Sequence, residues 1–164
     1  MARRDTILTF EEITHLASIF VSLSIEKIRF TGGEPMMRRG IVDVVDMLSK
    51  LKPNLRDLAL TTNGLNFPAN AEALRKAGLD RVTISLDTLD RQKFIDITGV
   101  DELENVLTSI EAARSVGFSK VKVNACVVRG RNDDELVGMA KFARGNGISF
   151  RFIEFMPLDS GHEW

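Results

Sequence analysis

Apolar residues recur along this chain with two spacings that alternate from one end to the other. Stretches with apolar residues three and four positions apart predict helices, and short runs in which every second residue is apolar predict strands. The predicted helices cover about 10–23, 41–51, 68–77, 91–97, 101–116 and 132–144. The predicted strands cover about 26–31, 57–62, 81–86, 120–128 and 148–155.

Local signals mark several of the helix starts. Thr9, with a glutamate three residues later, is typical of a capping box, and Pro68 is typical of a first helical turn. We expect Asp101 to cap the fifth helix and Asn132 to open the sixth, each followed by a glutamate at the same spacing.

A helix separates each predicted strand from the next one. Parallel strands need such long crossovers, which are right-handed in nearly all folds. The chain is therefore predicted to be an α/β protein with a parallel sheet, and it contains no linker or close internal repeat beyond this rhythm.

The strands themselves have one apolar and one polar side. In the third strand, for example, Val82 and Ile84 alternate with Arg81, Thr83 and Ser85. A parallel sheet covered by helices on both faces would instead be apolar throughout. The simplest explanation is a barrel, or an open arc of one, whose inside holds a polar ligand. The alternative is a bare sheet face at the protein surface.

Composition narrows the possible functions. The chain has 164 residues, is 44% hydrophobic and 27% charged, and carries a net charge of −1, which suits one folded domain. We expect neither nucleic acid nor an anionic membrane as a partner, because the chain has no overall basic field. It also contains no apolar run of membrane-spanning length and no signal-peptide core. The single cysteine, Cys126, excludes an internal disulfide and a multi-cysteine metal site within this chain, and a cytoplasmic-type compartment is expected.

Candidate ligand-binding residues cluster where the strands end. Gly32 and Gly33 follow the first strand, where they allow a sharp turn and a close approach of another molecule to the backbone. The alternative is an ordinary Gly-Gly turn. Polar residues also end the next three strands, at Thr61, Ser85 and Asn124. Ligands of such folds sit at this edge of the sheet.

Basic residues follow the same polar side of the strands: Lys27, Arg29, Lys122 and Arg151. Several cations together favour an anionic, hydroxyl-rich ligand such as a nucleotide, although each alone is typical of a solvated surface. Further candidates are Glu34 and Asp87, as acid/base or amine-binding carboxylates, and Met156, as either a packing residue or a ligand contact. We expect Cys126, His15 and His162 to have no role in the chemistry.

Five motifs carry a resemblance to a known family. They are KIRFTGGEP at 27–35, LTTNG at 60–64, ISLD at 84–87, VKVN at 121–124 and RFIEFMP at 151–157. In this order and spacing they resemble the molybdenum cofactor biosynthesis protein A family, which are radical S-adenosylmethionine (SAM) enzymes with GTP 3′,8-cyclase activity. The GGEP sequence alone would indicate only a radical SAM protein.

The resemblance implies a partial (βα)6 barrel of the TIM type. It implies SAM bound at a [4Fe–4S] cluster and cleaved reductively to a 5′-deoxyadenosyl radical. That radical removes the 3′-hydrogen of GTP, and C3′ then bonds to C8 of the guanine, giving (8S)-3′,8-cyclo-7,8-dihydroguanosine 5′-triphosphate in the first step of molybdenum cofactor synthesis. The implied SAM contacts are Gly33, through its backbone, Ser85 and Met156. The implied GTP contacts are Arg29, Thr61 and Lys122, with Lys27 and Arg151 as additional phosphate-side cations.

One departure from the family is large. The family holds one cluster with a C-x-x-x-C-x-x-C loop before the first helix and a second with three cysteines in a C-terminal region, and neither is present here. We therefore expect 1–164 to be a single radical SAM core fragment that runs from the first helix to the sixth barrel strand. It would lack the first strand and the C-terminal region, leaving the sheet edge at 27–30 unpaired. This chain alone would supply no metal ligands and would have no cyclase activity.

The resemblance also implies partners and a compartment. GTP would be the substrate, a reductant would serve the cluster of the parent protein, and a homodimer is a further expectation. The location would be the cytoplasm, or the mitochondrial matrix in a eukaryote. Two alternatives stay open: a non-catalytic nucleotide-binding or partner-binding half-barrel, and a radical SAM enzyme for another substrate.

Overall fold

A computed structural model describes residues 7–156 of the chain. Its helices are α1 (Phe10–Ser22), α2 (Ile41–Ser49), α3 (Ala71–Lys76), α4 (Arg91–Thr98), α5 (Leu103–Ser115) and α6 (Leu136–Asn146). Its strands are β1 (Lys27–Phe30), β2 (Asp57–Thr62), β3 (Arg81–Ser85), β4 (Val121–Val127) and β5 (Ser149–Glu154). His162 and the proline of the RFIEFMP motif lie outside the described residues.

The five strands form one parallel sheet in the order β1-β2-β3-β4-β5. Each strand pairs with its neighbour in the sequence, which is the topology of a barrel wall rather than of an open doubly wound sheet. Within residues 7–156, β1 and β5 are the two edges. The predicted parallel α/β sheet and partial barrel are confirmed.

One face of this sheet is the core of the protein. Leu58, Leu60, Val82, Ile84 and Val123 come from three adjacent strands, and all are fully buried. They pack in one cluster with buried apolar side chains of the helices. Full burial of each such side chain is worth about 1.5–3 kcal/mol. The apolar residues of the alternating pattern therefore lie beneath the helices.

The helix starts that the sequence predicted are confirmed in part. Thr9 and Glu12 form the predicted capping box, with the Glu12 N–H donating to Thr9 Oγ1 at 3.1 Å and the Thr9 N–H donating to Glu12 Oε2 at 2.7 Å. Two predicted starts are instead short 3₁₀ turns, at Pro68–Asn70 and Asp133–Glu135, that precede α3 and α6.

The predicted cap at Asp101 is wrong. The capping position of α5 is Glu102, which makes no side-chain capping bond. Asp101 instead accepts two hydrogen bonds from Arg91, from Nε at 2.8 Å and from Nη2 at 2.6 Å. A bidentate, charge-assisted pair is stronger than a bond to one backbone N–H, so the carboxylate turns toward Arg91.

None of the helices within residues 7–156 combines the length and apolarity needed to cross a bilayer. The longest of these helices have 13 residues, whereas a spanning helix needs about 20.

Candidate functional site

The pairing register brings the polar side chains of different strands into common rows. Arg29 lies level with Ala59 and Arg81, and the next row, toward the carboxyl ends, contains Thr61, Thr83 and Lys122. The row after that contains Ser85, Asn124 and Arg151. Residues paired across parallel strands point to the same face. Four of the five predicted GTP residues, namely Arg29, Thr61, Lys122 and Arg151, therefore lie on three successive rows of one face, and Lys27 lies at its amino-terminal edge.

Arg29 spans the middle of this face. Its Nη1 donates to Thr61 Oγ1 at 2.9 Å and to Thr83 Oγ1 at 3.2 Å. These two threonines hold the guanidinium one row closer to the carboxyl ends than its own Cα, beside Lys122. The sequence identified Arg29 and Thr61 as candidates, but their mutual hydrogen bond and the part of Thr83 were not predicted.

Positive charge accumulates around Lys122. The pKa of its ammonium is lowered, first by the nearby charge of Arg151, then by burial, and then by Arg81, Arg29 and Lys120. Within residues 7–156, neither Lys122, Arg29, Arg151 nor Lys27 has a carboxylate within 4 Å. A protein rarely leaves clustered cations unpaired, because their repulsion destabilises the fold, and such an arrangement suits an anionic ligand.

The glycine turn lies at the carboxyl end of β1. Gly32 and Gly33 have φ values of +85° and +53°, the left-handed region that side chains disfavour. A Cβ added to either would meet no atom within 4 Å, so open space faces this backbone. A cleft of about 310 Å³ begins here and is lined by Gly33, Thr61 and Ser85, among others. The backbone is thus accessible to a ligand.

Glu34 holds this turn to the neighbouring strand. Its Oε1 accepts from the Met36 N–H at 2.9 Å and from Thr62 Oγ1 at 2.8 Å, and its Oε2 accepts from the Asn63 N–H at 2.6 Å. The sequence suggested an acid/base or amine-binding carboxylate. These three hydrogen bonds tie the loops after β1 and β2 together, and the proposed acid/base or amine-binding role of Glu34 stays a prediction.

Ser85 lines the cleft from the carboxyl end of β3, and Asn124 lies level with it on β4. Ser85 is exposed, and its Cα pairs with that of Asn124. The Oδ1 atom of Asn124 is buried and has no hydrogen-bond partner. An unpaired buried acceptor costs stability unless a ligand or water donates to it. Met156, the third predicted SAM residue, follows β5 and is 64% exposed, outside the lining of the cleft.

Asp87 marks the end of β3. Its Oδ1 accepts from the Cys126 N–H at 2.7 Å. Burial raises the pKa of this carboxyl, and the bond from Cys126 offsets part of the rise. The pKa of the Cys126 thiol is also raised, by burial and then by Asp87, so the thiol is a poor nucleophile.

Asn132 is a structural residue whose position the sequence did not reveal. It is almost fully buried, and its Nδ2 donates to the backbone oxygens of Asp87 at 2.7 Å and Cys126 at 2.8 Å. Its Oδ1 accepts from the Val128 N–H at 2.8 Å. Asn132 thus joins the carboxyl ends of β3 and β4 instead of opening α6. The partner residues are up to 45 positions away, so no local pattern could have indicated this.

A second unpredicted feature is the ion pair between Arg81 and Asp57. Arg81 Nε donates to Asp57 Oδ1 at 2.7 Å, and its Nη2 donates to Asp57 Oδ2. The pair lies on the polar face, toward the amino-terminal ends of the strands. The sequence placed Arg81 on the polar side but gave no signal for its partner.

The described residues offer no metal centre. Among residues 7–156, no three His, Cys, Asp or Glu side chains are grouped so that they could hold an ion. The chain as a whole has one cysteine, whereas an iron–sulfur cluster is held mainly by several cysteine thiolates. The residues present therefore do not fit a cluster of their own.

Similarity to known proteins agrees with this geometry. The family model of the radical SAM superfamily matches residues 1–143. A GTP 3′,8-cyclase of Marinobacter nauticus is 50% identical over 155 residues, which cover 94% of this chain and 46% of that protein. A GTP 3′,8-cyclase of Acidothermus cellulolyticus is 48% identical over 162 residues, 98% of this chain and 44% of the relative. The chain thus spans about half the length of the curated relatives that it matches.

Solved structures show the same fold. Streptococcus suis SuiB bound to S-adenosylmethionine superposes with a TM-score of 0.81 at 19% identity, over 93% of this chain and 35% of that one. The protein anSMEcpe with bound AdoMet and a peptide gives a TM-score of 0.76 at 17% identity, over 96% of this chain and 46% of that one. The fold, the glycine turn and the family match lead to one conclusion: this chain belongs to the radical SAM superfamily.

Proposed function

We propose that this chain forms the nucleotide- and SAM-binding core of a GTP 3′,8-cyclase, an enzyme of molybdenum cofactor biosynthesis. The observation that carries the proposal is the group of cations on the polar sheet face that have no carboxylate within 4 Å among residues 7–156, next to a glycine turn with open backbone. The relatives of 48–50% identity named GTP 3′,8-cyclase support the choice of substrate. We take the whole chain, 1–164, as one core unit.

GTP binds on this proposal with its phosphates on the cationic part of the face. Arg29, Lys122 and Arg151 neutralise phosphate charge, with Lys27 at the amino-terminal side. Thr61 positions the Arg29 guanidinium and contacts the nucleotide. Charge-assisted hydrogen bonds of this kind are about twice as strong as neutral ones.

SAM binds on this proposal at the carboxyl ends of β1 and β3. The backbone of Gly33 binds the amino group of the methionine part of SAM. Ser85 contacts the cofactor from the carboxyl end of β3. The unpaired Asn124 Oδ1 fits a donor from the ligand. Met156 would reach the cofactor from the segment after β5. When bound and reduced, SAM supplies the radical that removes hydrogen from the substrate, and the residues of this chain bind and orient both molecules.

The iron–sulfur cluster does not fit the residues of this chain, since only Cys126 could supply a thiolate. Its ligands would have to come from outside these 164 residues, and we derive no step through it. A reductant, a homodimer and a cytoplasmic location, or the mitochondrial matrix in a eukaryote, belong to the same proposal. The alternative is a non-catalytic nucleotide-binding half-barrel, which the single cysteine favours for this chain alone.

Calorimetric titration of the chain with GTP tests the substrate part. We expect saturable binding that Arg29→Ala weakens by about tenfold or more, because a charged hydrogen-bonding group is lost. Arg144→Ala is the matched control, since Arg144 is an exposed arginine on α6. Absence of GTP-dependent heat, or equal losses for the two variants, would refute the proposed site.

A titration with SAM tests the cofactor part separately. We expect Ser85→Ala to weaken SAM binding while leaving GTP binding within about twofold. Anaerobic reconstitution with iron and sulfide should give no visible absorbance that survives desalting. A stable absorbance band would contradict the conclusion that this chain lacks the cluster ligands.

A further inference from the structure

The cations of the polar face lie at two levels along the strands, and the lower level also contains a carboxylate, that of Asp57. The upper level, nearer the carboxyl ends, contains Arg29, Lys122 and Arg151, which have no carboxylate within 4 Å among residues 7–156. The lower level contains the Arg81–Asp57 ion pair and, level with Asp57 on β1, Lys27. A ligand that enters from the carboxyl ends meets the unpaired cations first.

Two arginines from the same row produce this separation. Arg29 and Arg81 both lie level with Ala59, whose methyl group leaves room for two long side chains. Arg29 extends toward the carboxyl ends, to Thr61. Arg81 extends in the opposite direction, to Asp57, which lies level with Lys27.

Asp57 fixes the position of the Arg81 guanidinium. Both carboxylate oxygens are engaged by the guanidinium, and 28% of the Arg81 side chain and 14% of the Asp57 side chain are exposed. A bidentate pair of this kind fixes the geometry as well as the charge. Arg81 lies one row from Thr83 and Lys122, so the pair borders the upper cations. Its charge also contributes to the lowered pKa of Lys122.

We propose that the Asp57–Arg81 pair is the floor of the anion site and limits how many phosphates the polar face accepts. A phosphate chain is attracted by Arg29, Lys122 and Arg151, and Lys27 assists at the lower edge. Any extension toward the amino-terminal ends of the strands meets the Asp57 carboxylate, and like charges at contact are strongly unfavourable. The pair is thus a specificity-determining feature that selects a triphosphate over longer chains. This inference rests on the proposed nucleotide site and deepens it.

Inorganic polyphosphates test the floor without a nucleoside. We would titrate the whole chain with tripolyphosphate and with tetrapolyphosphate at one ionic strength. Wild type should bind tetrapolyphosphate no more tightly than tripolyphosphate, because the fourth phosphate meets Asp57. In Asp57→Asn, tetrapolyphosphate should bind about fivefold more tightly than tripolyphosphate, since the repulsion is lost and Arg81 is released.

Asp101→Asn is the matched control, because it also removes the carboxylate from a bidentate arginine pair, but one that lies between α4 and α5 and not on a strand. It should leave the ratio of the two affinities as in wild type. A ratio in Asp57→Asn equal to that of wild type would overturn the inference. A wild-type preference for tetrapolyphosphate, or absence of binding of either phosphate to wild type, would overturn it as well.

Circular dichroism shows whether Asp57→Asn folds. If it does not, the double variant Asp57→Asn with Arg81→Gln removes both charges, and its ratio should still exceed that of wild type. GTP in the same titration separates this inference from the proposed function. Equal affinities for GTP and tripolyphosphate would contradict a guanosine site and leave the floor supported by the polyphosphate ratio.

Discussion

The two faces of the sheet are built from alternating residues of the same strands, yet they differ in almost every physical respect. Leu60 is fully buried beneath the helices, and Thr61, the next residue, hydrogen-bonds to Arg29 on the opposite face. The apolar face is complete in itself, because its side chains are packed against one another. Within the described part of the chain, residues 7–156, the polar face carries cations without a carboxylate partner and a buried oxygen without a hydrogen-bond partner, that of Asn124.

This difference shows where the protein's stability comes from and where its ligand would bind. Apolar burial provides the favourable free energy of folding. Repulsion between clustered cations opposes folding, and the same repulsion lowers the pKa of Lys122. A ligand of opposite charge would remove that penalty, so we interpret the polar face as a site prepared for an anion.

The largest expected effect is a difference in the free energy of unfolding between substitutions of two consecutive residues, one on each face. Leu60→Ala should lower the free energy of unfolding by about 2–5 kcal/mol, because it opens a cavity in the core. Thr61→Ala should cost about 1 kcal/mol or less, since it removes one hydrogen bond at a half-buried position. Urea denaturation of both variants measures the contrast. Similar costs would show that the two faces are not energetically distinct.

The next largest loss of stability should come from the carboxyl ends of β3 and β4, which Asn132 joins. Asn132→Ala should lower the free energy of unfolding by about 1–3 kcal/mol, because three backbone groups lose their hydrogen-bond partner. Asn105→Ala, at an exposed position on α5, is the control and should change little. Urea denaturation again provides the measurement, and equal effects for both asparagines would contradict the assigned role of Asn132.

Smaller effects, of opposite sign on ligand-free stability and on GTP binding, are expected from a substitution of Lys122. Lys122→Met should raise the stability of the ligand-free chain slightly, because it relieves repulsion with Arg151. The same change should weaken GTP binding by about tenfold. Thermal unfolding without and with GTP measures both effects. Lys50→Met, in an exposed pair on α2, should have neither effect, and a loss of ligand-free stability in Lys122→Met would argue against the repulsion.

The smallest effect is a pH dependence at Asp87. Burial raises the pKa of Asp87 above its ordinary value of 3.8. The protonated carboxyl therefore contributes stability that is fully present below pH 3.8 and is lost as the pH rises through the folded-state pKa. Asp87→Asn should gain stability relative to wild type over that range.

Denaturation of wild type and Asp87→Asn at a series of pH values checks this sign. Asp101→Asn is an informative control, because Arg91 lowers the pKa of Asp101. The stability that the Asp101 carboxylate contributes is present above pH 3.8 and is lost as the pH falls through its folded-state pKa. The two variants should therefore diverge from wild type in opposite directions, and parallel curves would contradict the assignment for Asp87.

The sequence was sufficient for features that depend on regular spacing. Period-2 alternation predicted both faces, and the helix between each pair of strands predicted the parallel sheet. The same alternation placed Arg29, Thr61 and Lys122 on the polar face, where the structure has them. The sequence failed where a side chain chooses between competing partners. Asp101 binds Arg91 instead of capping α5.

The missed residues have distant partners. Asn132 bonds to backbone atoms that the sheet brings near it, and Asp57 meets Arg81 only because β2 and β3 pair in one particular register. Such contacts depend on the assembled sheet, whereas patterns within one strand or helix do not record them. They can be predicted only after the strand order and register are fixed.

Lysine acetylation followed by mass spectrometry would test the contrast between the faces most directly. The neutral amine is the reactive form, so the lowered pKa of Lys122 should make it react faster than Lys50 and Lys76 on the helix surfaces. Saturating GTP should protect Lys122 and Lys27 and leave Lys50 and Lys76 unchanged. Equal reactivity of all four lysines, with no selective protection by GTP, would contradict the interpretation of the polar face as a nucleotide site.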